Sequence, residues 1–233
     1  MQIRYLGQSA VELSDGSTKI LVDPFITGNP KATVAADELE PTHILLTHGH
    51  ADHYGDTVEL AKRTGAAVLA LTEIADELEE LGLQNVSDPN LGGTVRFDWG
   101  WVKLVPAFHS STTPKGTVSP AAGLLIMVGE TLVYHLGDTC LFSDLKLIAQ
   151  RGNHVNVALV PIGGHYTMDR IDAVTACEWI GADEVIPIHY DTFPPIETDP
   201  QAFKRDVEAA TGSKVVVLAP GETHTVQLPT RSC

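Results

Sequence analysis

The sequence predicts an αβ/βα sandwich, an α/β architecture in which two packed sheets carry helices on their outer faces. About a dozen short apolar or alternating runs read as strands, and five further runs repeat at helical spacing. Each half of the chain opens on strands of antiparallel type and closes in strand–helix alternation. No stretch of Gly, Ser or Pro separates the halves. They are therefore expected to share a core as one domain over residues 1–233, built of two similar halves. Helices layered over two sheets bury such strands on both faces.

Residues 3–6, 10–13 and 19–23 read as a meander, with Asp15-Gly16 as the turn between the last two. Asp23-Pro24-Phe25 ends the third strand, and residues 43–46 form a buried one. Asp56 can cap a helix to about residue 64, stopped by Gly65, and residues 66–71 are a strand. Thr72 can cap the next helix, with Ile74, Leu78 and Leu81 on one face and Gly82 as its stop. Residues 94–97 and 101–106 are strands, the second ending near His109. Pro114 and Gly116 make residues 112–119 a flexible loop. Residues 122–128 and 131–135 form a hairpin across Gly129-Glu130, followed by Leu136-Gly137-Asp138. A short helix over 144–151 precedes a buried strand over 155–162. Asp169 can cap a helix that Gly181 stops. Residues 184–188 are a strand ending at His189. Asp199-Pro200 starts a last helix, stopped by Gly212, before strands at 215–218 and 223–228.

Bulk properties narrow the function. With 233 residues, 43% of them hydrophobic and 19% charged, the chain has globular proportions. No apolar run reaches the roughly 18 residues of a membrane span. Met1-Gln2-Ile3-Arg4-Tyr5-Leu6 enters a strand pattern without the basic and apolar segments of a signal peptide. Cys140, Cys177 and Cys233 are odd in number and widely spaced, which argues against a disulfide framework and for a reducing cytoplasm. The net charge of −15 argues against broad nucleic-acid binding. A small anionic substrate is still compatible with it, because bound divalent ions would invert the local field.

The chemistry centres on Thr47-His48-Gly49-His50-Ala51-Asp52-His53, expected on a loop between a buried strand and a helix. Imidazole and carboxylate at this density are ligands that a borderline metal such as zinc prefers. His109, Asp138 and His189 follow apolar runs at other strand ends. Strand ends of one rigid scaffold hold ligands to narrow tolerance. The seven residues His48, His50, Asp52, His53, His109, Asp138 and His189 exceed what one tetrahedral ion with an open position takes. They suit two divalent ions sharing a carboxylate, with a hydroxide held between metals roughly 3.5–4 Å apart. Zinc fits best, and the ligand types also admit manganese, nickel or iron.

This stretch, with Phe108-His109-Ser110, Gly137-Asp138-Thr139 and Ile188-His189-Tyr190, resembles the metallo-β-lactamase superfamily, whose fold is a four-layer αβ/βα sandwich. Residues 105–110, 161–168 and 187–194 carry a closer resemblance to metal-dependent hydrolases of the L-ascorbate-6-phosphate lactonase-like branch. The resemblance implies one ion on His48, His50 and His109, another on Asp52, His53 and His189, and Asp138 bridging them. It implies a hydroxide oriented by Asp52 that cleaves an ester, lactone or phosphoester bond of a small cytoplasmic substrate. It also implies a homo-oligomer. His165, after Gly163-Gly164, is expected to face the metals and to stabilise an oxyanion or protonate a leaving group. Tyr190 and Gln8 are candidate substrate contacts, Gln8 standing where relatives in that branch often carry histidine. Asp23 is expected to orient a ligand histidine. His43, His135 and His154 read as structural, and His224 could reach the site from the last turn. Pocket walls are expected from residues 27–33, 112–119 and 193–198. A non-enzymatic metal-binding sensor or scaffold, and a phosphodiesterase or nuclease, are the alternatives. The complete ligand set weighs against the first. The acidic charge and the short span from Asp138 to His189 weigh against a nuclease.

Overall fold

A computed structural model describes residues 1–148 and 153–226. The first sheet contains β1 (Gln2–Gly7), β2 (Ala10–Asp15), β3 (Thr18–Val22), β4 (His43–Leu45), β5 (Ala67–Leu69) and β6 (Val86–Ser87). The second contains β7 (Thr94–Phe97), β8 (Gly100–Ala107), β9 (Ala121–Val128), β10 (Thr131–His135), β11 (Val157–Pro161), β12 (Glu184–Ile188) and β13 (Lys214–Val215). A last strand, β14 (Thr223–Thr225), returns to the first sheet and pairs antiparallel with β1. The spatial orders are β14-β1-β2-β3-β4-β5-β6 and β13-β12-β11-β10-β9-β8-β7. In the first sheet β1 to β3 are antiparallel and β3 to β6 parallel. In the second, β7 to β10 are antiparallel and β10 to β13 parallel.

The helices are α1 (Ala51–Tyr54), α2 (Thr57–Thr64), α3 (Thr72–Glu80), α4 (Arg170–Ile180) and α5 (Pro200–Ala210). Alternation along each strand sends neighbouring side chains to different cores. On β3, Ile20 and Val22 point between the sheets, where they share a core with Leu104, Leu124 and Ile186. Leu21 points outward, to a core with Leu60 of α2 and Ile74 and Leu78 of α3. On the far side, Tyr134 and Val160 pack with Cys177 of α4 and Phe203 of α5. The result is the four-layer αβ/βα sandwich expected from the sequence. The central parallel strand β11, Val157 to Pro161, is apolar and buried at every position because both of its faces are covered.

Asp169 and Asp199 cap α4 and α5 as expected, each accepting from two backbone N–H groups of the first turn. Gly65 and Gly181 end α2 and α4 in the left-handed region. Other expectations change. Asp56 sits at the start of α2, but its carboxylate accepts from the Ile26 and Thr27 amides and pins the chain after β3. The Thr72 hydroxyl donates to the Asp88 carbonyl instead of capping α3. Helix α5 ends at Ala210 with Thr211 as its cap, one residue before Gly212. The histidine stretch is not wholly a loop, since Ala51–Tyr54 forms one turn, and β6 is an added strand. The strand expected at 215–218 is the short Lys214–Val215. Within the expected 144–151 helix, Ser143–Leu147 forms a 3-10 turn. Residues 149–151, residues 227–228 of the expected last strand, and Cys233 lie outside the described residues. No helix among the described residues is long and apolar enough to cross a membrane.

Candidate metal centre

The C-terminal ends of β3, β4, β8, β10 and β12 converge at one edge of the sandwich. They deliver Asp23, residues 47–53, His109, Asp138 and His189 to it. All seven expected ligands are brought together. His48, His50 and His109 offer atoms within 4.8 Å of one another, and so do Asp52, His53 and His189. Asp138 groups with His48 and His53 by the same measure. Its carboxylate lies 3.0 Å from His189 Nε2, 3.3 Å from His53 Nε2 and 3.5 Å from His109 Nε2. His48, His53, Asp138 and His189 are buried, whereas His50, Asp52 and His109 are part-exposed on a cavity wall.

Hydrogen bonds behind the cluster fix where its lone pairs point. Asp23 accepts from the Thr47 amide at 2.8 Å, the Thr47 hydroxyl at 2.7 Å and His53 Nδ1 at 2.8 Å. This is the orienting role expected of Asp23. With its hydroxyl proton on Asp23, Thr47 Oγ1 accepts from His48 Nδ1 at 3.0 Å. His48 and His53 therefore turn Nε2 acceptors toward the cluster. His53 Nε2 and Asp138 Oδ1 are buried without hydrogen-bond partners. Two lone pairs aimed at each other at 3.3 Å are satisfied by a proton or by a cation between them. The donor set fits metal ions on that ground.

The titration tendencies of the metal-free chain express the same physics. Burial lowers His48, His50 and His109. Burial works against charge at His53 and His189 too. There the carboxylates outweigh it, with Asp138 foremost, raising His53 and taking His189 to about 9. Burial likewise opposes ionisation of Asp52 and Asp138, yet the neighbouring imidazoles hold both below the ordinary range.

Gln8 is wholly buried and donates from Nε2 to Asp52 Oδ2 at 2.8 Å. Its backbone carbonyl accepts from the His189 amide at 2.7 Å. The expectation of a substrate contact is corrected here, since Gln8 lies behind Asp52 and holds it. Tyr190 is corrected as well. His189 is left-handed at φ 56°, which breaks strand alternation, and Tyr190 lines a separate cavity with Tyr5, Asp191 and Leu218. His165 is exposed, its ring edge-on to Tyr166 at 4.5 Å, and it is Tyr166 that lines the cavity over the cluster. His224 pairs with Glu184 at 2.7 Å, away from the ligands. His135 bridges the Ser9 carbonyl and the Gly137 amide, His43 accepts from the Trp99 indole, and His154 pairs with Asp183.

The cavity has a volume of about 630 Å³. Beyond the ligands, Phe25, Ala51, Ser110, Tyr166 and Phe193 line it. Of the expected wall segments, only 193–198 contributes among the described residues. Phe25 follows Asp23-Pro24 and Tyr166 follows Gly163-Gly164-His165, and nothing in those runs shows that the aromatic lines the cavity over the cluster.

Gly163 is required beside His189. A Cβ there would lie 2.3 Å from the His189 carbonyl oxygen and 2.8 Å from Ile196 Cβ. Gly163→Ala should displace His189, destabilise the fold by about 1–3 kcal/mol and weaken metal binding roughly tenfold or more. Denaturant titration and a competition assay with a coloured chelator measure the two effects. An unchanged metal affinity would mean that His189 does not depend on this neighbour.

Comparison with known proteins gives the family and class. The family model described as "Beta-lactamase superfamily domain" matches residues 2–189. A UPF0173 metal-dependent hydrolase of Thermus thermophilus is 47% identical over 223 residues, covering 95% of this chain and 97% of that one. A second, of Symbiobacterium thermophilum, is 48% identical over 230 residues and is covered completely. The solved structure of Igni18, a metallo hydrolase from the archaeon Ignicoccus hospitalis, superposes with a TM-score of 0.89 at 38% identity. That match covers 98% of this chain and 99% of Igni18. Fold and site together define a metal-dependent hydrolase. The chain belongs to the beta-lactamase superfamily, among the UPF0173 metal-dependent hydrolases. None of these names specifies a substrate.

Proposed function

We propose that the protein holds two divalent ions, zinc first among the candidates, and hydrolyses an ester, lactone or phosphoester bond of a small cytoplasmic molecule. His48, His50 and His109 would hold one ion, Asp52, His53 and His189 the other, with Asp138 between them. The supporting observation is the pair of buried, partnerless lone pairs at His53 Nε2 and Asp138 Oδ1, set between two three-residue ligand groups. Bound ions supply Lewis acidity and lower the pKa of water toward neutrality. The chain supplies the rest. Asp23 and Thr47 fix the tautomers of His53 and His48. Gln8 holds one Asp52 oxygen, so that the carboxylate can accept a proton from the attacking water at the cavity wall. His165, beside Tyr166, is the proposed proton donor to a leaving group departing toward solvent. A homo-oligomer, and a single domain built of two similar halves, belong to the same reading.

Elemental analysis after metal-replete purification should give about two equivalents per chain. Turnover in a panel of lactones, carboxylic esters and phosphodiesters should vanish with chelator and with Asp52→Ala. One equivalent would defeat the two-ion reading, and turnover indifferent to chelator would defeat the site.

A further inference from the structure

The walls of the cavity over the cluster differ in chemistry from its floor. The floor is the polar set of ligands. Phe25 and Phe193 form one wall, their ring centroids 6.5 Å apart and their planes inclined at 32°. Tyr166, 53% exposed, brings a third ring to the mouth, and Ala51 and Ser110 leave room between. Among the described residues no lysine or arginine lines the space, and its only carboxylates are Asp52 and Asp138. The chain as a whole carries 30 acidic against 15 basic residues.

An anionic group seated among these rings would lose hydration without gaining a guanidinium or ammonium partner. It would also sit in the field of an acidic protein. An apolar group there removes aromatic and aliphatic surface from water on both sides of the contact. The volume of about 630 Å³ lies within the range of pockets that enclose a small molecule. Metal ions could neutralise negative charge at the reacting bond, but not at the far end of the molecule.

We infer that the substrate carries, next to the bond cleaved at the cluster, an uncharged apolar group that packs against Phe25, Phe193 and Tyr166. The preferred substrate is thus a neutral carboxylic ester or lactone with an apolar acyl part. Hydrolysis adds water across it, the hydroxyl going to the acyl carbon and the proton to the leaving oxygen. The inference rests on the hydrolase reading above for the reaction, and on the cavity walls for the specificity.

The test compares p-nitrophenyl acetate, butyrate and hexanoate with mono-p-nitrophenyl adipate on the zinc-loaded protein. Adipate matches hexanoate in chain length and differs only in a carboxylate where hexanoate has its terminal methyl. kcat/KM should rise by up to about fourfold per buried methylene from acetate to hexanoate. It should fall at least tenfold from hexanoate to adipate. Phe193→Ala should shrink the hexanoate-to-acetate ratio by roughly tenfold. Adipate turned over as well as hexanoate, or a ratio unchanged by Phe193→Ala, would overturn the inference. A second arm reads binding without turnover, by calorimetry of hexanamide and adipamic acid on zinc-loaded and metal-free protein. Hexanamide should bind more tightly to both forms, and Phe193→Ala should weaken it. If no ester is cleaved but hexanamide still binds in this way, the hydrolytic reading fails and the apolar pocket stands. If adipamic acid binds the metal-free protein more tightly, the apolar pocket fails, whatever the turnover.

Discussion

Replacing Asp138 by asparagine is expected to cut bound metal from about two equivalents to one or none and hydrolysis by a thousandfold or more, given that metal ions contribute several kcal/mol to such reactions. The size follows from the central position of this carboxylate. It is buried, with His53, His109 and His189 all within 3.5 Å. An amide matches the carboxylate in shape but not in charge, so the packing survives while the charge that holds cations is lost. Removal also strands His53 and His189, whose charged forms the Asp138 carboxylate favours against burial. Breaking a buried ion pair from one side costs about 3–5 kcal/mol. Urea unfolding of the metal-free variant and elemental analysis of the loaded one measure the two consequences separately. Two tightly held equivalents in Asp138→Asn would remove Asp138 from the ligand set.

Asp23 is the second large effect, although it is not among the expected ligands. Asp23→Asn should weaken metal binding by roughly 10–100-fold, the range for partners that orient ligand histidines. Its amide can still accept, but it cannot satisfy the Thr47 amide, the Thr47 hydroxyl and His53 Nδ1 together. Asp23→Ala should also destabilise the fold, by about 1–3 kcal/mol for each buried donor left unpaired. The backbone adds to this. Asp23 has φ 47°, which aspartate and asparagine tolerate better than alanine. The difference between the two variants in urea therefore reports backbone, packing and the hydrogen bonds that asparagine keeps, at equal charge. Equal metal affinity in wild type and Asp23→Asn would show that Asp23 does not tune His53.

The clustering of these His and Asp side chains was legible because chemistry and position coincide, with His or Asp at or just beyond the end of an apolar run. His109, Asp138 and His189 each satisfy that condition, and the structure brings them to residues 47–53. The residues behind the site were harder to read. Gln8 and Asp52 are 44 positions apart, and no local pattern announces their hydrogen bond. The direction of Tyr190 was lost at His189, where a left-handed backbone cancels the period-two rule. Asp56 and Thr72 have capping chemistry at helix starts, but each found a stronger partner in a neighbouring segment. Helix α1 and strand β6 are too short to show a period. The layers, in contrast, were legible in outline, since every long apolar run has a sheet or helix face to cover.

The return of β14 to the first sheet has a consequence for biosynthesis. Among the described elements β1 is translated before all others, yet the strand that covers its outer edge is translated after them. Bonds from Gly221 to Tyr5, Tyr5 to Glu222 and Val226 to Met1 close that edge from end to end. Until then a growing chain on the ribosome carries a bare strand whose N–H and C=O groups can pair with those of a neighbouring nascent chain. The first sheet, begun before the second, is thus finished after it, and its edge stays open while every element between β1 and β14 is made.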